Sequence, residues 1–194
     1  MNLYSSRTAL VYYHPGTPVP EMPLPEGYEV RSLNATLVDS LFNAPEDANR
    51  RRSYHGFLAG GCQGIVVINH GKWASVGWYA TPDASIGPPH VPARFYRGRY
   101  WLFHEHTAEQ HRRKGLQKAL IARMLEQICA KDPSPSIFTD VRAENIPSQR
   151  AQVACGFVPG GKMRFHTVDI PRLKTRNWVT WFMDKRLPRK KVEG

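Results

Sequence analysis

The sequence is short of cysteine, of long apolar runs, of internal repeats and of acidic residues, and each shortage removes a class of protein. Its three cysteines, Cys62, Cys129 and Cys155, are odd in number, widely spaced and free of any CxxC pairing. That pattern argues against a disulfide framework and against a zinc knuckle, and makes a reducing cytoplasm the expected compartment. The longest uncharged apolar run, Phe57 to Ile68, is broken by Gly60, Gly61, Gln63 and Gly64, whereas a membrane helix needs about 20 apolar residues. The stretch from Met1 to Tyr13 has no sustained apolar core followed by a small-residue cleavage site, so no secretory signal is read there. Asp and Glu number 16 against 27 Lys and Arg, a formal charge of +11. Such an excess attracts something anionic: a phosphorylated cofactor, nucleic acid, anionic lipid or an acidic carrier protein. Charge alone does not choose among them, and part of it is local, in the run Arg50, Arg51, Arg52 and in Arg186, Arg189, Lys190 and Lys191.

What is present is an ordinary globular composition, 41% apolar and 22% charged over 194 residues, enough for one domain with a core of its own. Pro15, Pro18, Pro20, Pro23 and Pro25 forbid helix and predict an extended N-terminal arm over residues 1–27, after a short strand at Ala9 to Tyr13. The folded unit is expected from Tyr28 to about residue 185, with a solvated basic tail over 186–194. Within it the pattern predicts a strand at Tyr28–Leu33, a helix capped by Asn34, and a helix over Asp47–Leu58 stopped by Gly60-Gly61. Strands at Gln63–Asn69 and Trp73–Thr81 are joined at His70-Gly71. A proline-rich loop, Pro82 to Pro92, leads to a strand at about Arg97–Thr107. The strongest helix follows: Leu116, Leu120, Met124 and Ile128 recur every four residues with Ala119, Ile121, Leu125 and Cys129 beside them, an apolar stripe that leaves Lys118, Arg123 and Glu126 outside. A strand at Ser136–Arg142, a helix at Pro147–Cys155, a strand from Phe157 and a last strand over Trp178–Asp184 complete a mixed α/β (α+β) fold of sheet packed by helices. Trp178 and Trp181 read as core.

The segment Arg112-Arg113-Lys114-Gly115-Leu116-Gln117 lies between a strand and the start of the strong helix. At a helix N-terminus several backbone N–H groups lack intrahelical partners and the dipole is positive, so a pyrophosphate is held there without a dedicated side chain. Gly115 permits close backbone approach, and Arg112, Arg113, Lys114 and Lys118 add cations. Many surface helices begin with a glycine and a basic residue, so this loop alone is a weak signal.

A second segment raises its weight. The strand-loop-helix resembles the acyl-CoA-binding motif [RQ]xxGx[GA] of the GNAT N-acetyltransferase superfamily, with Arg112 and Gly115 at the matching positions. Thr139-Asp140-Val141-Arg142-Ala143-Glu144-Asn145, Ser148 and Gly156-Phe157 resemble the strand, Asn-bearing loop, short helix and GF turn that close that fold. Together they cover about a third of the chain, roughly Arg97 to Val158. The resemblance implies a mainly antiparallel sheet flanked by helices, with acyl-CoA bound at a splayed strand pair and its acyl group moved to an amine. Two positions depart from the pattern. Gln117 stands where Gly or Ala is usual, and Gln152 stands where many members carry the tyrosine that protonates the leaving thiolate. Gln donates a hydrogen bond but is no acid.

The same resemblance places His104, Glu105 and His106 beside the acyl group, with the two histidines on one face of their strand and Glu105 on the other. Candidates for the general base are Glu105, Asp140, His104 and His106. The cofactor-contacting set is His104, Glu105, His106, Arg112, Arg113, Lys114, Gly115, Leu116, Gln117, Lys118 and Asn145. Plainer readings stand beside these: Asp140 capping its loop, Glu105 pairing with an arginine, Asn145 opening a helix before Pro147. The His-x-His pair offers two metal ligands and no third, so no metal is expected. Expected partners are an acyl-CoA, acetyl-CoA first, and an amine-bearing acceptor. An acyl carrier protein donor, served by Arg50–Arg52, and a second copy of the chain remain open. A nucleic-acid-binding module lacks any helix-turn-helix, zinc-finger or RNA-recognition signature, and no membrane partner is expected.

Overall fold

The computed structural model describes residues 4–168, 175–185 and 187. The basic residues Arg186, Arg189, Lys190 and Lys191 fall outside them. The described chain folds in the order β1 (Tyr4–His14), β2 (Tyr28–Ser32), α1 (Ala35–Leu41), α2 (Ala48–Ala59), β3 (Gln63–Asn69), β4 (Lys72–Ala80), α3 (Ala93–Tyr96) and β5 (Tyr100–Thr107). Then come α4 (Leu116–Lys131), β6 (Ile137–Arg142), α5 (Ile146–Ala154), β7 (Val158–Val168) and β8 (Arg176–Met183). The strands form one eight-stranded sheet ordered β2-β3-β4-β5-β6-β1-β7-β8. Every neighbouring pair is antiparallel except β5 with β6.

Both faces of the sheet are covered, which is why β3 and β4 read as continuous apolar runs rather than alternating ones. Ile65 and Val67 of β3 join Leu116, Leu120, Ile121, Met124, Leu125 and Ile128 of α4 on one face. Val66 and Ile68 meet Val38 of α1, Phe42 just after it, and Tyr54 and Phe57 of α2 on the other. Local rules fix the element ends. The Asn34 side chain accepts the Leu37 N–H at 2.8 Å, and His70 and Gly71 both take positive φ, 47° and 72°, the geometry of a tight β3–β4 hairpin. The strand before the basic loop starts at Tyr100 rather than Arg97. A one-turn helix, α3, occupies Ala93–Tyr96, and Gly98 at φ 71° turns the chain into β5.

The N-terminal arm departs from expectation. Tyr4–His14 is an interior strand, paired to β6 on one side and β7 on the other, so the folded unit begins there and not at Tyr28. The prolines start only after this strand, and their segment is docked: Val19, Met22 and Leu24 pack against the cluster built on α4. At the far edge Trp181, partly buried, packs against the core, whereas Trp178 is 45% exposed and stacks on His166, ring centroids 4.8 Å apart.

Candidate active site

Strands β5 and β6 pair only through Tyr100↔Ile137, Trp101↔Phe138 and Leu102↔Thr139. Beyond that point β5 continues to Thr107 and β6 to Arg142, so the two diverge and open the sheet. On one side of the opening lies a cleft of about 660 Å³ lined by β5, the loop before α4, the first turn of α4, and α5. On the other lies a pocket of about 260 Å³ lined by β1, β5, β6, Phe165 and His90. Glu105, Asn145 and Ser148 line both, so the two spaces meet there.

The loop before α4 has the backbone conformation of an anion-binding nest. Arg113 and Gly115 are left-handed, φ 64° and 77°, and Gly115 caps α4 with no side chain satisfying the first amides. Alternating left-handed residues turn successive N–H groups toward one point, and the helix dipole adds to them. Arg112, Arg113, Gly115, Leu116, Gln117 and Lys118 all line the cleft, and His111 and Arg150 line it too. Lys114 is turned elsewhere: its Nζ donates to the Tyr28 hydroxyl at 2.9 Å and lies over that ring.

Glu105 is held by amides from two helices. Gln117 Nε2 donates to Oε2 at 3.0 Å and to Ser148 Oγ at 3.1 Å. Gln152 Nε2 donates to both carboxylate oxygens, at 3.0 and 2.9 Å. Burial pushes the Glu105 carboxyl above its ordinary value, the two amides pull it back, and nearby Asp140 raises it again. Both departures from the family pattern therefore serve one carboxylate. Gln117 points inward to it, and Gln152, fully buried, spends its donor there. The Asn145 oxygen accepts the Ser148 N–H at 3.3 Å, so the plainer reading of Asn145 as a helix cap holds while it also lines both spaces.

The two histidines of β5 share a face, and Glu105 takes the opposite one. Alternation sets this, and a bulge sets which layer each face meets: Trp78 pairs Phe103 and Val76 pairs His106, so Gly77 alone opposes His104 and Glu105, and His104 absorbs the extra residue at φ 55°. His104 packs edge-on against Tyr54 and Phe57 and lines the smaller pocket rather than the larger cleft. His106 lies against Trp73 and lines the cleft. Burial lowers the pKa of both; His106 and Arg50 lower His104 further, Arg50 and Arg112 lower His106 further. Among the described residues no group of three or more His, Cys, Asp or Glu is arranged to hold a metal. Arg50 pairs with Asp47 and lies over the Trp73 ring, which takes it out of an outward-facing arginine run.

Asp140 does not cap its loop. Its carboxylate, 6% exposed, meets His90 Nε2 at 2.8 Å and accepts the Trp101 Nε1–H at 3.1 Å. His90 and Arg7, both lining the smaller pocket, escape a reading of the sequence, because one sits in a proline-rich loop and the other ahead of the strand expected at Ala9–Tyr13, in a stretch read as part of an arm.

No protein-family model and no curated protein sequence matches the chain. Solved structures do. A GCN5-related N-acetyltransferase from Sphaerobacter thermophilus superposes with a TM-score of 0.60 at 13% identity, over 88% of this chain and 55% of that one. A tandem GNAT protein from the clavulanic acid biosynthesis pathway gives 0.57 at 16%, over 90% and 52%. A GCN5-related N-acetyltransferase-like protein from Streptococcus suis 89/1591 gives 0.54 at 13%, over 85% and 62%. The chain thus spans little more than half the length of these structures, and at such identities the likeness is one of architecture: this chain has the mixed, mainly antiparallel fold of the GNAT acetyltransferases.

Proposed function

We propose that the chain is an N-acyltransferase that takes its acyl group from an acyl-CoA, acetyl-CoA first, and delivers it to an amine by direct attack on the thioester. One observation carries this reading: the parting of β5 and β6 joins a cleft lined by basic residues and the first turn of α4 to a second pocket at Glu105, Asn145 and Ser148. The pyrophosphate sits on the first amides of α4 and the Arg113–Gly115 turn, with Arg112, Arg113, Lys118 and Arg150 around it. The pantetheine runs along the unpaired edge of β5, which brings the thioester to Glu105, and the acceptor enters from the smaller pocket. Glu105, its oxygens filled by amides, ties β5 to α4 and α5 and sets the width of the opening. A thiol with a pKa of about 8.5 leaves as thiolate with little help from an acid near neutral pH, which is how the reaction runs with Gln152 in place of tyrosine. Three unpaired cysteines, and no described helix long and apolar enough to cross a membrane, fit a cytoplasmic enzyme.

Calorimetric titration with acetyl-CoA, longer acyl-CoAs and free CoA tests the reading. Binding that disappears in Gly115→Glu, which sets a carboxylate at the cradle, supports it; failure of the unchanged chain to bind any CoA species overturns it. A second reading, a CoA-binding protein without turnover, is favoured by Gln152, which is committed to Glu105 and does not line the cleft. Release of CoA thiol in the presence of amines separates the two.

A further inference from the structure

His90 has no part in the arrangement above, yet it stands on the acceptor pocket in a constrained setting. It lies near the end of the Pro82–Pro92 loop, its ring packs on Phe165 with centroids 5.7 Å apart, and its side chain is 37% exposed. Nε2 is spent on Asp140 Oδ2 at 2.8 Å. The other oxygen of Asp140 is fixed by the indole N–H of Trp101, whose ring is fully buried and stacked on Phe138. A carboxylate accepts, so Nε2 carries the hydrogen and Nδ1 keeps the lone pair.

The other groups facing this pocket are placed for different work. Glu105 on β5 has both oxygens occupied by amides, and Asp140 on β6 has both occupied by Trp101 and His90. His104 on β5 is wedged against Tyr54 and Phe57. Arg7 on β1, which lies over the Phe165 ring, and Arg142 on β6 are cations.

We propose that His90 is the general base for the acceptor amine, with Asp140 as its positioning residue. The inference rests on the acyltransferase reading. The acceptor ammonium gives one proton to His90 Nδ1 and the freed lone pair attacks the thioester carbonyl carbon. The N–C bond forms, the C–S bond breaks, the second nitrogen proton ends on the departing sulfur, and His90 returns its proton to solvent. An imidazole held by a buried carboxylate suits this step because its orientation and tautomer are set before substrate arrives.

The test uses acetyl-CoA with four amines: an amino acid, an amino sugar, a polyamine and a peptide with a free N-terminus. With whichever amine the unchanged protein acetylates, His90→Gln lowers kcat/KM by about 10²–10⁴ at neutral pH. The gap narrows as pH rises and the amine loses its proton in solution, and calorimetric binding of acetyl-CoA stays unchanged. Asp140→Asn supplies a second, non-kinetic readout. The Trp101 N–H keeps the amide oxygen, so the amide NH₂ faces His90 and forces its hydrogen from Nε2 to Nδ1, a tautomer switch visible by ¹⁵N NMR of the labelled imidazole. Unaltered kcat/KM and pH profile in His90→Gln, or an unswitched tautomer in Asp140→Asn, overturns the assignment and leaves acyl transfer standing. Absence of transfer by the unchanged protein to any of the four amines overturns both.

Discussion

At the scale of single residues the proposed cofactor cradle is a matter of backbone conformation. A side chain at Gly115 meets no atom within 4 Å but must adopt φ 77°, so the cost of substitution is conformational and not steric. A left-handed L-residue costs roughly 1–2 kcal/mol, and Asn tolerates that region best. Gly115→Ala is therefore expected to lower stability by about 1–2 kcal/mol in urea unfolding, and Gly115→Asn by less; equal losses would point to a packing role instead. The Glu105 cluster obeys a different logic. Removing the Gln152 donor with Gln152→Leu leaves the buried carboxylate with fewer hydrogen bonds, a loss of about 1–3 kcal/mol. The sign of its pH dependence follows from the raised Glu105 pKa. Fewer donors raise it further, so the variant's deficit is smallest below the ordinary carboxyl value, where the group is protonated folded and unfolded, and grows as pH rises above it. A deficit that shrinks over that range would contradict the hydrogen-bond assignment.

At the scale of elements, the bulge in β5 and the packing of α4 are one device. Gly77 opposes the bulge, and a Cβ there would lie 2.8 Å from Leu120 Cδ2 and 3.2 Å from the end of Met124. Gly77→Ala overpacks the α4 interface at a cost of about 1–3 kcal/mol, and Leu120→Ala leaves a cavity costing about 2–5 kcal/mol. Because the second substitution removes the atom that blocks the first, the double variant is expected to be more stable than the two losses added together; strict additivity in a denaturation cycle would mean that α4 simply shifts. Legibility in the sequence follows the same division. The α4 stripe was readable because one helix face repeats within the segment itself, and the Arg112–Gly115 loop because its chemistry lies in consecutive residues. The β1 strand was mostly hidden because its partners, β6 and β7, lie more than a hundred residues away, and prolines next to it suggested an arm. That His104 and His106 share a face opposite Glu105 follows from alternation, but which helix layer each meets depends on a bulge that exists only once β4 is paired. His90 and Asp140 are 50 residues apart, and no local pattern announces that they meet.

At the scale of the whole molecule, two global properties bear on function and on acid tolerance. The chain carries a charge of +11 and Arg112, Arg113, Lys118 and Arg150 line the larger cleft, so under the proposed function CoA association is expected to slow as ionic strength rises from about 0.05 to about 0.5 M, with dissociation changing less. Stopped-flow rates indifferent to salt would confine the basic residues to other tasks. Acid tolerance is expected to depend on His14, at the end of β1, which is fully buried, accepts the Gly16 N–H on Nδ1 at 3.1 Å and packs edge-on against Phe157. Burial lowers its pKa, partly offset by the Cys155 backbone, and His104 and His106 are lowered as well. A histidine depressed in the folded state binds its proton more readily when unfolded. Its stabilising contribution is thus complete above the unfolded value near 6.5 and is lost as pH falls toward the folded one. Urea midpoints should therefore drop between pH 7.5 and 5.5. His14→Asn keeps an acceptor near the position of Nδ1 for the Gly16 N–H but cannot take a proton. Its midpoint is expected to be lower at pH 7.5, because the ring contact with Phe157 is gone, and to fall less on acidification than that of the unchanged chain. An identical fall in both would move the acid sensitivity to the two histidines of β5, at the mouth of the site itself.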